Sequence, residues 1–177
     1  MSSKTYTVVP GDMRSGSEFR AARDVVKTVL NERSGWRSKG YRFSEAASYA
    51  SPDFTITFWT DDHIIARFGR DFRGLSVCEN QRHIYINLQN WRSGANAGFA
   101  DVRQYRRYVV NHEVGHVLGY GHVDAKHHCR NGGRASVMSQ QTKGQFGCTP
   151  YSYVQGSTLP SLNINGGGKN ANGCILL

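Results

Sequence analysis

The segment Asn111–His122, NHEVGHVLGYGH, places three histidines and one glutamate inside a run that is otherwise apolar. His112 and His116 are four residues apart, so on a helix they project from one face on successive turns, and both imidazoles can reach one ion. Glu113 is rotated from His112 by about 100°, which places its carboxylate beside such an ion rather than on it. The spacing therefore predicts a helix that carries a metal site with a carboxylate next to it.

The end of this segment supplies a third ligand. Gly119 can adopt the left-handed conformation that ends a helix, so His122 approaches the ion from a new direction. Three neutral imidazoles fill three corners of a tetrahedron and leave the fourth for water, which is typical of a catalytic zinc rather than a structural one. The predicted cofactor is therefore Zn²⁺, with Glu113 as general base. The predicted ligands are His112, His116 and His122.

The extended pattern, H-E-x-x-H-x-x-G-x-x-H, resembles the zinc motif of the metzincin clan of zinc metallopeptidases, in which a turn with a methionine lies beneath the metal. Met138, in RASVMSQQ, lies 16 residues after His122 and matches that methionine by position. Gln140 stands where the clan has a tyrosine, so the group that polarises the substrate carbonyl is unassigned. In this clan a peptide substrate extends along the edge strand of the sheet, and the resemblance implies that the segment HIYINL, residues 83–88, is that strand.

A closer resemblance covers most of the chain. The segments YRRYVVNHEVGHVLGYGH and SVMSQQT, with the GC that follows, look like a largely bacterial family of zincin-like proteins whose function is not established. This resemblance runs from about Tyr6 to Tyr153 and implies a metzincin fold with a peptidase-type site. Members of that family are mostly exported, which favours an extracellular or exported location, although MSSKTYTVVPGD lacks the apolar core of a secretory signal.

The periodicity of the rest of the chain predicts an α+β fold of the zincin type, with a twisted mixed sheet, two main helices and a small irregular C-terminal part. Predicted strands are KTYTVV (4–9), YRFSEA (41–46), FTITFWT (54–60) and HIYINLQNW (83–91), and predicted helices span about 17–31 and 101–118. We expect residues 1–154 to form one metallopeptidase domain. Residues 155–177 are rich in Gly and Asn, which predicts a flexible tail whose removal costs little stability.

The four cysteines leave several alternatives open. Cys129 and Cys148 bracket the methionine turn and form either a disulfide or two free thiols, whereas Cys78 has no evident partner. His127, His128 and Cys129 are either a second metal site or, as we favour, an exposed polar loop. The terminal CILL fits a prenylation signal, so a membrane partner is expected only if Cys174 carries a prenyl group.

The charge balance sets limits on partners. The chain has 22 Lys and Arg against 13 Asp and Glu, a net charge of +9, and the excess is spread along the sequence. A spread excess without interleaved aromatic residues favours an ordinary basic surface, so no specific nucleic-acid partner is predicted. The favoured function is a zinc endopeptidase acting on a peptide or protein substrate. The alternative is a non-catalytic binding or structural protein that keeps the metal for stability.

Overall fold

The protein is represented by a computed structural model that describes residues 2–48, 50–162 and 173–176. Its sheet consists of β1 (Ser2–Val9), β2 (Tyr41–Glu45), β3 (Phe54–Trp59), β4 (Val77–Glu79), β5 (His83–Asn87) and β6 (Cys174–Ile175). The strand order is β2-β1-β3-β5-β4-β6. The pairs formed among β2, β1, β3 and β5 are parallel, β4 is antiparallel to β5, and β6 is parallel to β4. The predicted mixed sheet is therefore confirmed.

Helices pack around this sheet. They are α1 (Gly16–Asn31), α2 (Asp61–Phe68), α3 (Leu88–Ser93), α4 (Val102–Val117) and α5 (Ala125–His128), with short 3₁₀ segments at Trp36–Lys39, Arg70–Phe72 and Gln141–Lys143. The α+β prediction is confirmed. Among the described helices, none has both the length and the apolar character that crossing a membrane requires.

Local sequence explains the two main helices. The side chain of Ser15 accepts a hydrogen bond from the amide of Glu18 at the start of α1, and Asp101 does the same for Gln104 at the start of α4. Helix α1 buries the stripe Ala22, Val26, Val29 and Leu30, which recurs at steps of three and four residues. Helix α4 is buried from its middle to its end, so its last two turns are held inside the protein.

The strand predicted for 83–91 is correct only in its first half. The chain leaves the sheet after Asn87, whose side chain accepts a hydrogen bond from the amide of Asn90 and caps α3. Apolar residues continue past this point, with Leu88 and Trp91 both buried, and periodicity alone does not separate a short buried helix from a strand. The cap at Asn87 decides between them.

The predicted edge strand is wrong. Strand β5 lies between β3 and β4, so HIYINL is an interior strand. The next strand outward is β4, which is only three residues long, and the two-residue strand β6 pairs with the far side of β4 and forms the edge. A three-residue strand has no detectable periodicity, and the β4–β6 pairing joins parts of the chain that are far apart in sequence.

Parts of the segment 155–177, predicted to be a flexible tail, make specific contacts with the rest of the protein, and the flexibility itself stays a prediction. The hydroxyl of Ser157 accepts a hydrogen bond from the amide of Val137 at 3.0 Å, and the carbonyl of Thr158 accepts one from the Ser136 hydroxyl. Cys174 and Ile175 form β6. A Gly/Asn-rich composition does not reveal these hydrogen bonds or the disulfide of Cys174. Flexibility expected for residues 163–172 falls outside the described residues.

All four cysteines are paired. Cys129 and Cys148 form the disulfide that the sequence left open, so Cys129 is not a metal ligand. Cys78 bonds to Cys174, although it had no evident partner in the sequence, because the partner lies 96 residues away and reaches it through β6. A prenyl group at Cys174 would need the same sulfur that this disulfide uses, and attachment to a membrane stays a prediction.

Candidate metal centre

The C-terminal turns of α4 carry the predicted motif into the interior. His112, Glu113 and His116 are only 5%, 5% and 2% exposed. The helix ends at Val117, and Gly119 takes the left-handed conformation with φ 99°. The amide of Tyr120 then bonds to the carbonyl of Gly115 at 2.9 Å, which turns the chain back toward the helix. This turn delivers His122 to the mouth of the site, as the glycine spacing predicted.

The three imidazoles converge on one point. One nitrogen of each ring can be chosen so that all three lie within 4.8 Å of one another, and the Nε2 atoms of His112 and His116 are 3.1 Å apart. Two nitrogens bound tetrahedrally to zinc at its usual bond length are about 3.3 Å apart. His112, His116 and His122 are therefore placed to bind a metal ion.

Backbone carbonyls orient two of these rings. The Nδ1 atom of His112 lies 2.8 Å from the carbonyl oxygen of Val137, and Nδ1 of His116 lies 2.8 Å from that of Tyr120. A carbonyl can only accept, so each Nδ1 carries the proton and each Nε2 keeps a lone pair directed into the site. Histidines that bind a metal are commonly oriented in this way, by a hydrogen bond from the ring nitrogen that does not face the ion.

The protonation states also suit metal binding. Desolvation, followed by the nearby His116 and His122, holds the pKa of His112 well below its usual value. Desolvation, followed by His116 and Lys143, lowers the pKa of His122 to about 3, although this residue is exposed at the mouth of the site. Both rings are therefore neutral at pH 7, and a neutral imidazole is the form that binds a metal.

Glu113 shares a cavity with the histidines. The cavity has a volume of about 290 Å³, and its wall includes all three rings and the Glu113 side chain. Burial raises the pKa of Glu113 from 4.5 to about 8. A cation held by the three rings would favour the carboxylate, because an opposite charge at close range stabilises the ionised form.

Met138 lies beneath the helix that carries the motif. It is fully buried, and a Cβ atom placed on Gly115 would overlap its Sδ atom. Trp36 meets the same point from another side, at 2.8 Å from that Cβ position. Gly115 stands between the two helical histidines, so the methionine underlies the site where the metzincin resemblance placed it. A specific role for Met138 stays a prediction.

Some features of the site were not predicted. The carbonyls of Val137 and Tyr120 have no sequence signature, because every residue has one. Gln140 and Lys143 line the cavity, as does Gly173 from the C-terminal segment. For Gln140 the signal was its position two residues after Met138, where the clan pattern has a functional side chain.

Three polar residues near the motif have structural roles. Asp124 caps α5 by accepting a hydrogen bond from the amide of Lys126 at 3.0 Å. It does not orient His112 or His116, because the Nδ1 atoms of these rings bond to backbone carbonyls. Tyr105 and Tyr108 are buried in the core. The Tyr108 hydroxyl donates to the carbonyl of Ser139 at 2.8 Å, which ties α4 to the segment after Met138.

Comparison with known proteins gives a family without an assigned activity. No curated protein matches the chain. Among solved structures, the chain is similar to that of myroilysin, with 18% sequence identity and a TM-score of 0.41, over 68% of this chain and 48% of that one. The match thus spans about half the length of that relative. A family model described as "Protein of unknown function (DUF3152)" matches residues 4–153, so the chain belongs to that family.

Proposed function

We propose that this chain is a zinc-dependent endopeptidase of the metzincin type that hydrolyses bonds in a peptide or protein substrate. The observation that carries the proposal is the placement of the Glu113 carboxyl group in the same cavity as three imidazoles, of which those of His112 and His122 are neutral at pH 7. A purely structural zinc is usually enclosed by four protein ligands and needs no neighbouring base. Here three histidines would hold the ion and would leave its fourth position to the cavity.

The residues divide the chemistry between them. A zinc ion held by the histidines would supply Lewis acidity toward a carbonyl and lower the pKa of a coordinated water to about 7. Glu113 would accept the proton of that water as it attacks the scissile carbonyl, and would pass the proton to the leaving amine. Val137 and Tyr120 keep the rings of His112 and His116 in position through their carbonyls.

Carbonyl polarisation would fall to the residues that line the cavity in place of the missing tyrosine. Gln140 and Lys143 both lie on its wall, and each carries N–H donors. Either side chain could donate to an oxyanion that forms near the histidines. Substituting each by alanine should then lower kcat without removing zinc.

Metal analysis tests the ligand assignment. The chain is stripped with a chelator, incubated with zinc, desalted and measured by mass spectrometry. We expect one equivalent of zinc in the natural chain and none in His116→Ala. His127→Ala, at an exposed histidine of α5, is the matched control and should keep one equivalent. A full equivalent in His116→Ala would contradict the proposed site.

A second candidate is a non-catalytic protein stabilised by its metal. One observation favours it: Gly173 and Ile175 of the C-terminal segment lie on the wall of the cavity, where a substrate would need space. Under this alternative, zinc raises the melting temperature but no peptide is cleaved. Hydrolysis of a mixed-peptide library that requires zinc would exclude it.

A further inference from the structure

The C-terminal segment Gly173–Leu176 pairs with the outer edge of the sheet. Cys174 lies opposite Cys78 and Ile175 opposite Glu79 in a parallel register, and the amide of Asn80 donates to the carbonyl of Ile175 at 2.7 Å. Backbone groups on this edge of β4 are therefore taken up by a segment of the same chain. An exposed strand edge binds extended peptides through the same groups, so the segment occupies a place that a second peptide could use.

The segment also reaches the metal centre. A Cβ atom on Gly173 would overlap the ring of His116, so the backbone of the segment lies directly against a proposed ligand. Gly173 has a φ of 79°, a conformation that favours glycine, and both Gly173 and Ile175 form part of the cavity wall beside Glu113. An extended peptide with its scissile bond at the metal would have to enter this space.

A covalent bond holds the segment there. Cys78 on β4 and Cys174 on β6 form a disulfide, and both residues are almost fully buried. The bond sits within the pairing itself, because Cys78 and Cys174 are register partners. Dissociation of the segment from β4 is thereby restricted in a way that hydrogen bonds over two residues alone would not achieve.

We propose that Gly173–Leu176 is a built-in inhibitor that occupies the peptide-binding edge β4 and covers the metal centre, tethered by the Cys78–Cys174 disulfide. This inference rests on the proposed function, since it assigns β4 as the edge that receives substrate. The inhibitor acts by competition: the segment and a substrate peptide need the same backbone groups of β4 and the same space beside His116. Its removal opens the site without changing a ligand or the general base.

The test compares three variants with the natural chain, all loaded with zinc. One ends at residue 172, and the second carries Cys78→Ala with Cys174→Ala. The matched control carries Cys129→Ala with Cys148→Ala, which removes the other disulfide and leaves the tether intact. Two properties are measured: binding of a fluorescein-labelled peptide hydroxamate by anisotropy, and hydrogen exchange of the Asn80 amide, which needs no metal. Circular dichroism checks the fold of each variant.

The shortened chain should bind the peptide hydroxamate at least tenfold more tightly than the natural chain, and its Asn80 amide should exchange faster. The Cys78→Ala, Cys174→Ala variant should change in the same direction, and the control should not. Unchanged peptide binding in the folded shortened chain would overturn the proposal; if that chain does not fold, unchanged binding in the Cys78→Ala, Cys174→Ala variant overturns it. Tighter binding without hydrolysis by any form would support the inhibitor and contradict the peptidase.

Discussion

Gly115 shows how closely a single residue ties the motif to the fold. It lies between His112 and His116, at the point where α4 meets both Met138 and Trp36. Trp36 cannot move freely, because its Nε1 atom donates to the carbonyl of Asn111 at 2.9 Å. The position between the histidines is unspecified in the zinc motif, yet in this chain packing restricts it to a residue without a side chain.

Gly115→Ala should therefore destabilise the protein. The added methyl group overlaps Met138 and Trp36, and overpacking of this kind costs about 1–3 kcal/mol. Urea unfolding followed by circular dichroism measures the loss. Gly16→Ala is the control, because its nearest neighbour outside the local backbone lies 3.5 Å from the new atom. Equal stability of Gly115→Ala and the natural chain would show that the contact beneath the helix is loose.

The burial of Glu113 predicts a pH dependence in the metal-free protein. The pKa of Glu113 is about 8 in the folded protein, against a usual value of 4.5. Between pH 4.5 and pH 8 the folded state therefore keeps a proton that the unfolded state has released. Stability from this residue is complete below pH 4.5 and is lost as pH rises towards 8, by up to about 1.4 kcal/mol per pH unit. Glu113→Gln has no such loss, so its stability relative to the natural chain should increase between pH 5 and pH 8. A constant difference in unfolding free energy would show that the carboxyl is well solvated.

Among the helices and strands, those that depend on contacts within one segment could be predicted from the sequence, and those that depend on contacts between distant segments could not. Helices α1 and α4 could be predicted because their caps and apolar stripes lie within one segment. Three residues of the motif could be predicted for the same reason, since helical spacing alone brings His112, Glu113 and His116 together, and the glycine spacing supplied His122. Strands β4 and β6 could not, because they are three and two residues long and depend on each other across the chain.

The turn that carries Met138 is held by Ser157, in a part of the chain whose composition predicted flexibility. Ser157 accepts from the amide of Val137 and donates to the carbonyl of Tyr153, and Val137 in turn orients His112. Ser157→Ala should therefore weaken zinc binding by roughly threefold to tenfold, less than direct supporting contacts are worth. Competition with a chromophoric chelator measures the affinity, with the exposed Ser161→Ala as control. Equal zinc affinities of Ser157→Ala and the natural chain would show that this hydrogen bond does not contribute to metal binding.

On the scale of the whole molecule, the two disulfides close loops of very different length. Cys78–Cys174 spans 96 residues and Cys129–Cys148 spans 19. Restricting the unfolded chain is worth more for the longer loop, roughly 4–5 kcal/mol against roughly 3 kcal/mol. A domain that ended at residue 154 would lack Cys174 and so would lose the stabilisation that this longer loop provides.

Replacing Cys78 and Cys174 by alanine should thus lower the free energy of unfolding by more than replacing Cys129 and Cys148. Chemical unfolding of the two double variants and the natural chain gives the comparison, with the natural chain under reducing conditions as a reference that lacks both bonds. An equal or reversed order would indicate that the C-terminal segment contributes little to the folded state, as its composition had suggested.

The central claim is that Glu113 acts as the general base of a zinc peptidase, and Glu113→Gln tests it most directly. Hydrolysis of a mixed-peptide library is measured with zinc-loaded protein, in the full chain and in the chain shortened after residue 172. We expect unchanged zinc content, a similar KM and a fall in kcat of about 10² to 10⁴, because the carboxylate acts mainly in the transition state. Equal rates of hydrolysis by the Glu113→Gln variant and the natural chain would contradict the claim. So would the absence of hydrolysis by both proteins with zinc bound.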